Sequence, residues 1–237
     1  MLIDIHQTPE SLSLPGLGEG QPTMGSAPAP ADHSIALVTR PIDDYSAALV
    51  GEEVELLQQA TSSARQQQFS SGRYCVRLCQ SLLGENSWPV SRQGKAPVWP
   101  GPWLGSISHS DHIAAAVLGS GYHGLGVDLE SLHRLGWQSD PRLLQRLFRP
   151  EELAAWRESK QPHALSLAFS AKEAGYKAIY PSGQTYIRFQ EVAVELHQAG
   201  RFTLRYLGDN LTNAAMNNGL GYWSIIDQHV LTLFVVE

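Results

Sequence analysis

Two hydrophobic periods alternate along this chain, and their order limits the fold more than any other feature. A strand-like run, His33–Arg40, comes first. From Gly51 to Leu83 apolar residues, including Leu56, Leu57, Ala60, Ala64 and Phe69, recur at three- and four-residue spacing, which predicts a long helix broken once. Gly84 supplies its C-terminal stop. A loop punctuated by Gly, Pro and Trp over 84–103 leads to strands at Gly105–Ser108, Ile113–Leu118 and Leu125–Glu130. Helical periods return at Pro141–Phe148, Pro150–Glu158 and His163–Tyr180. Four strand-like runs close the chain: Ile187–Leu196, Phe202–Leu207, Gly221–Ile226 and Val230–Val236. Helices followed by strands, twice over, predict an α+β fold in which each half is a small antiparallel sheet packed against helices. The expected division is a Pro- and Gly-rich extended leader at 1–33, an N-terminal half at 34–124 and a C-terminal half at 125–237.

The chain is long enough for this. Its 237 residues, 43% of them hydrophobic, suit one large domain or two of about 100 residues. A net charge of −6 argues against a nucleic-acid partner, and an acidic partner would need a local basic patch. Cys75 and Cys79 stand four apart in the predicted helix, where they read as small core residues rather than half of a zinc site. The first residues lack the basic start and apolar run of a signal peptide. No run reaches the ~20 apolar residues of a membrane span. The expectation is a soluble, cytoplasmic protein.

Three segments carry chemistry. In the strand Leu125-Gly-Val-Asp-Leu-Glu130, alternation puts Asp128 and Glu130 on one face and Leu129 on the other. Two carboxylates side by side repel unless a cation sits between them, although a strand end whose acids face water reads equally well. In Phe169-Ser-Ala-Lys-Glu-Ala-Gly-Tyr-Lys-Ala178, Glu173 and Lys177 share a helix face at i, i+4. Such a pair is common on surfaces, but the apolar company of Ala171, Ala174, Gly175, Ala178 and Ile179 implies a buried helix, where charges have partners. Gly105-Ser-Ile-Ser-His-Ser110 reads as a strand ending in donors suited to a phosphate. His109 and His112 lack further ligands for zinc.

Together these segments resemble the 4′-phosphopantetheinyl transferases of the surfactin- and enterobactin-synthetase type. Ser-x-Ser-His, Gly-Val-Asp-x-Glu and aromatic-Ser-x-Lys-Glu-Ala-x-x-Lys occur in the family's order, and Gly72-Arg73 and Pro97-Val-Trp-Pro100 look like the enterobactin branch. The resemblance covers about residues 60–180. It implies a pseudo-twofold pair of similar α+β halves with the active site in the cleft between them. It also implies transfer of the phosphopantetheine arm of coenzyme A to a serine of an acyl or peptidyl carrier protein. Asp128, Glu130 and Glu173 would hold Mg²⁺, with Mn²⁺ able to substitute; an all-oxygen set suits these ions better than zinc. Where some members have a third acid, this chain has Leu129. Lys177 would contact the pyrophosphate, with Asp128 beside it, and Glu173 is the candidate base. Ser108 and His109 would contact the 3′-phosphate, with Arg65, Arg73 and Lys95 as further phosphate ligands.

Two alternatives are another Mg²⁺-dependent phosphoryl or nucleotidyl transferase, and a coenzyme A- or carrier-binding module without activity. The chain has no Gly-x-x-x-x-Gly-Lys-[Ser/Thr] loop, which removes the commonest NTP-binding version of the first. Four intact residues, Asp128, Glu130, Glu173 and Lys177, argue against the second. A monomer is expected. Arg142 and Arg146, with Arg149 close by, form a basic stripe opposite Leu143, Leu144, Leu147 and Phe148; in the family resembled, the acidic carrier docks beside this segment.

Overall fold

The computed structural model describes residues 2–5, 33–94, 96–133, 135–183 and 185–237. The chain divides into two compact units, Met1–Leu125 and Gly126–Glu237.

The first unit contains β1 (Leu2–Ile5), β2 (Ser34–Pro41), α1 (Glu53–Gln58), α2 (Ser63–Leu82), the short strands β3 (Ser91–Gln93) and β4 (Ala96–Val98), β5 (Trp103–His109) and β6 (Ile113–Ser120). Its main sheet has the order β1-β2-β6-β5. β1 runs parallel to β2, and the other pairs are antiparallel. β1 falls within the expected leader at 1–33 and pairs along the edge of β2 that β6 leaves open.

Alternation along β2 and β6 sends Ala36, Val38, Ala114, Ala116 and Leu118 to one face, where Cys75, Val76 and Cys79 of α2 cover them. Both cysteines are buried in this core as thiols, in keeping with the core reading. The buried face of α2 lies further along than its apolar spacing suggested. Ala64 is exposed and Phe69 half-buried, while Ser70, Ser71, Gly72, Arg73 and Arg77 are buried. The small residues explain this. Ser70 and Ser71 satisfy their hydroxyls on the Asp43 carbonyl, and a Cβ at Gly72 would lie 2.8 Å from Ile107.

The second unit begins within β7 (Gly124–Ser131) and continues through α3 (Pro141–Leu147), α4 (Pro150–Glu158), α5 (Ala164–Gly183), β8 (Val192–His197), β9 (Arg201–Tyr206), β10 (Gly219–Ile226) and β11 (His229–Val236). The sheet order is β7-β11-β10-β9-β8. β8 starts later than expected because Phe189–Glu191 forms a turn of 3₁₀ helix. Ala171, Ala174, Ala178 and Ile179 of α5 pack with Val192, Phe202, Leu204 and Phe234 of the sheet. Lys172, 2% exposed, ties α5 to its neighbours: its ammonium donates to Glu152 at 2.9 Å and to the Leu147 and Phe189 carbonyls at 3.1 and 3.0 Å.

Candidate active site

The site in the second unit follows from how closely β7 meets α5. Gly126, Asp128 and Glu130 share one strand face. A Cβ at Gly126 would lie 1.9 Å from the Ala174 carbonyl oxygen, so only glycine allows α5 this near. Three and four residues along the helix face, the side chains of α5 then meet Asp128. The Lys177 ammonium donates to Asp128 Oδ1 at 2.7 Å and to the Val127 carbonyl at 3.2 Å. Ser170 Oγ donates to Asp128 Oδ2 at 2.8 Å. Thr232 Oγ1 on β11 lies 2.9 Å from that hydroxyl and donates to the Ser170 carbonyl at 3.0 Å. Asp128, only 3% exposed, is thus gripped at both oxygens.

Glu173 completes the group. Burial pushes its carboxyl above the usual range, the negative charge of Asp128 pushes it further, and Lys177 pulls it back in part. Two acids and one lysine therefore face one another in a partly dry setting, an arrangement that can hold a cation and move a proton. Glu130 lies on the same strand face and is half-buried. Among the described residues no three His, Cys, Asp or Glu side chains are already drawn into a metal-ligating cluster.

The first unit holds a cavity of about 480 Å³. Arg65, Arg73, Arg92 and His109 line it, with Phe69 and Ile107 as apolar walls. Alternation along β5 puts Ile107 and His109 on the cavity face and Ser106 and Ser108 on the other. Ser108 is 7% exposed and does not line the cavity, so the expected Ser108–His109 pair is separated. Ser110 Oγ accepts from the His112 and Ile113 amides, a turn-forming role. Arg73 is less free than expected of a simple phosphate ligand: it is 7% exposed, 3.4 Å from Glu53, and lies over the Phe69 ring at 4.7 Å. Lys95 lies outside the described residues.

Sequence reasoning missed Arg92, because a lone arginine in a presumed loop carries no signal beyond its charge. Ser170 was inside a recognised motif, one turn before Glu173, yet its role appears only when Thr232 comes up behind it from more than sixty residues away.

Comparison with known proteins places the chain in a family. Residues 124–233 match the family model of the 4′-phosphopantetheinyl transferase superfamily, and residues 52–119 match that of the 4′-phosphopantetheinyl transferase N-terminal domain. The 4′-phosphopantetheinyl transferase PptT of Mycobacterium tuberculosis is 28% identical over 198 residues, covering 78% of this chain and 85% of that protein. Enterobactin synthase component D of Salmonella typhimurium is 28% identical over 171 residues, 71% of each chain. Holo-[acyl-carrier-protein] synthase of Treponema denticola is 38% identical over 91 residues, 37% of this chain and 73% of that one. The chain belongs to the 4′-phosphopantetheinyl transferase superfamily. Within it, the chain carries the N-terminal domain as well as the domain named for the superfamily, and it is an enzyme of the phosphopantetheinyl transferase type.

Proposed function

We propose that this enzyme moves 4′-phosphopantetheine from coenzyme A to a serine hydroxyl of an apo acyl or peptidyl carrier protein, releasing adenosine 3′,5′-bisphosphate. The observation that carries this reading is the Asp128–Lys177–Glu173 group, built from the family's own motif residues and held by Ser170.

The donor set fits a divalent cation. Asp128, Glu130 and Glu173 offer only oxygens, and Glu173 already feels the negative charge of Asp128, so Mg²⁺ or Mn²⁺ suits them. When bound, the ion offsets negative charge on the coenzyme A pyrophosphate. In the reaction the serine oxygen bonds to the β-phosphorus, and the bond from that phosphorus to the bridging pyrophosphate oxygen breaks. Lys177, held in place by Asp128, stabilises the oxygen that departs with the adenosine 3′,5′-bisphosphate. Glu173 takes the serine proton; burial and Asp128 both strengthen its hold on one. The arginine-lined cavity of the first unit supplies charge for the 3′-phosphate through His109, Arg65 and Arg73, with Arg92 added. No helix among the described residues is long and apolar enough to cross a membrane.

Incubation with coenzyme A, Mg²⁺ and an apo carrier, followed by mass spectrometry of the carrier, tests the reading. Gain of one phosphopantetheine arm supports it. Tight coenzyme A binding with an unmodified carrier would replace it with a binding module, and turnover of a nucleoside triphosphate with a different transferase.

A further inference from the structure

Glu53 and Arg77 have no place in the reaction just described, yet they form the charged centre of the first unit. Glu53 is 0% exposed. Its Oε1 accepts from the Arg77 guanidinium at 2.5 Å and from the Val90 amide at 2.8 Å, and its Oε2 accepts from the Val50 amide at 3.2 Å. Arg77 also donates to Gln80 Oε1 at 2.6 Å and to the Trp88 carbonyl. Both Nη atoms of the forked guanidinium are thereby engaged, only its Nε lacking a hydrogen-bond partner among the described residues, a spread of contacts that an ammonium could not match.

Arg73 approaches the same carboxylate on worse terms. Its Nε stands 3.4 Å from Glu53 Oε1 and has no hydrogen-bond partner among the described residues. Its Nη2 makes one long bond, 3.5 Å, to the Val90 carbonyl. Two arginines thus share one buried carboxylate, and the surplus positive charge falls on Arg73. That residue lines the cavity with Arg65, Arg92 and His109, whereas Arg77 and Glu53 do not reach it. The arrangement is costly to bury. Desolvation lowers both guanidinium pKa values, that of Arg73 to about 10, and apolar residues in place of the whole buried Glu53–Arg77 pair would make a cheaper core. A net-positive wall gains its return only when an anion enters.

We propose that Arg77 is a positioning residue for the anion site: by engaging Glu53 it keeps that carboxylate from neutralising Arg73, whose charge is then directed at a phosphate in the cavity. Without Arg77, Glu53 and Arg73 would close into a neutral pair, and the cavity would lose one of its cations. This inference rests on assigning the cavity to the phosphates of coenzyme A.

The test compares the wild type with Arg77→Gln, Arg77→Lys and Arg65→Ala. Measured quantities are KM and kcat for coenzyme A and for dephospho-coenzyme A, KM for the carrier, and Tm. Arg77→Gln raises KM for coenzyme A about tenfold, equivalent to ~1.4 kcal/mol, and narrows the preference over dephospho-coenzyme A. Its kcat stays within about twofold, and KM for the carrier does not move. Arg77→Lys keeps a cation on Glu53 but loses the fork, so KM for coenzyme A rises less, about threefold. Arg77→Lys carries the test alone should Arg77→Gln fail to fold. A folded Arg77 variant with lowered Tm and wild-type KM for coenzyme A would overturn the proposal and leave the pair purely structural. If that happens while Arg65→Ala raises KM, only the positioning role fails. If Arg65→Ala is silent as well, the cavity assignment fails with it.

Discussion

At the scale of single residues, the acid cluster makes a claim about pH that can be checked without any substrate. In the metal-free protein the Glu173 carboxyl titrates above its ordinary 4.5, because burial and Asp128 both disfavour its charge. A group whose folded pKa is raised contributes stability below the unfolded pKa and loses it as pH rises through the folded one. Glu173→Gln, which cannot ionise, should therefore raise Tm of the metal-free protein near neutral pH, and the gain should vanish below 4.5. Added Mg²⁺ should stabilise the wild type more than the variant. Equal Tm values at neutral pH would show that Glu173 does not feel Asp128 as described. His109, at the end of β5, faces the cavity in the first unit. His109→Ala should weaken coenzyme A binding by about tenfold and dephospho-coenzyme A binding much less, a two-ligand, two-protein comparison that isolates the 3′-phosphate contact. Calorimetry reads both affinities, and equal losses would make the imidazole structural.

Elements show where the sequence could be read and where it could not. The strand β7 and the helix α5 were legible because their chemistry and their periodicity coincide: Asp128 and Glu130 recur at a strand's period of two, Glu173 and Lys177 at a helix's i, i+4. The distance between the two elements was not legible, since it depends on Gly126, one unremarkable residue in a Gly-Leu-Gly run. Gly126→Ala would drive a methyl group to 1.9 Å from a backbone oxygen of α5. Neither backbone can yield cheaply, so a loss of about 3 kcal/mol in chemical denaturation is expected, with activity falling as Lys177 withdraws from Asp128. A loss below about 1 kcal/mol would mean that the β7–α5 contact is softer than it looks. The reading of α2 went astray for a related reason. Its buried half carries serines, a glycine and two arginines, so an apolar period placed the inner face too early. Polar residues were admissible inside because their partners, Asp43, Glu53 and Val90, come from other elements. No spacing within α2 could announce them.

For the molecule as a whole, charge decides how a partner is met. The chain carries −6, so an acidic carrier protein is repelled by the overall field and must be received by a local exception. Helix α3 is the proposed exception. Asp140 caps it by accepting from the Arg142 and Leu143 amides. Leu144, Leu147 and Phe148 are buried in the core of the second unit, and Leu143 packs against it. That leaves Arg142 and Arg146 exposed on the outer face. Arg149 does not extend the stripe freely, because its guanidinium lies 3.1 Å from Glu151 and 3.7 Å from Glu152; the patch reduces to two arginines. Exposed charges of this kind act mainly on encounter rate and partner choice, and salt screens them over ~10 Å at 0.1 M. Arg142→Glu combined with Arg146→Glu should raise KM for an acidic carrier several-fold at low salt. Wild-type KM should climb with added salt, and the double variant should show a flat or reversed dependence, since its remaining interaction is repulsive and salt relieves it. KM for coenzyme A should not change, because neither arginine belongs to the cavity or the acid cluster. Steady-state kinetics at two ionic strengths reads all of these, and an unchanged carrier KM at low salt would return α3 to the role of a solvated helix.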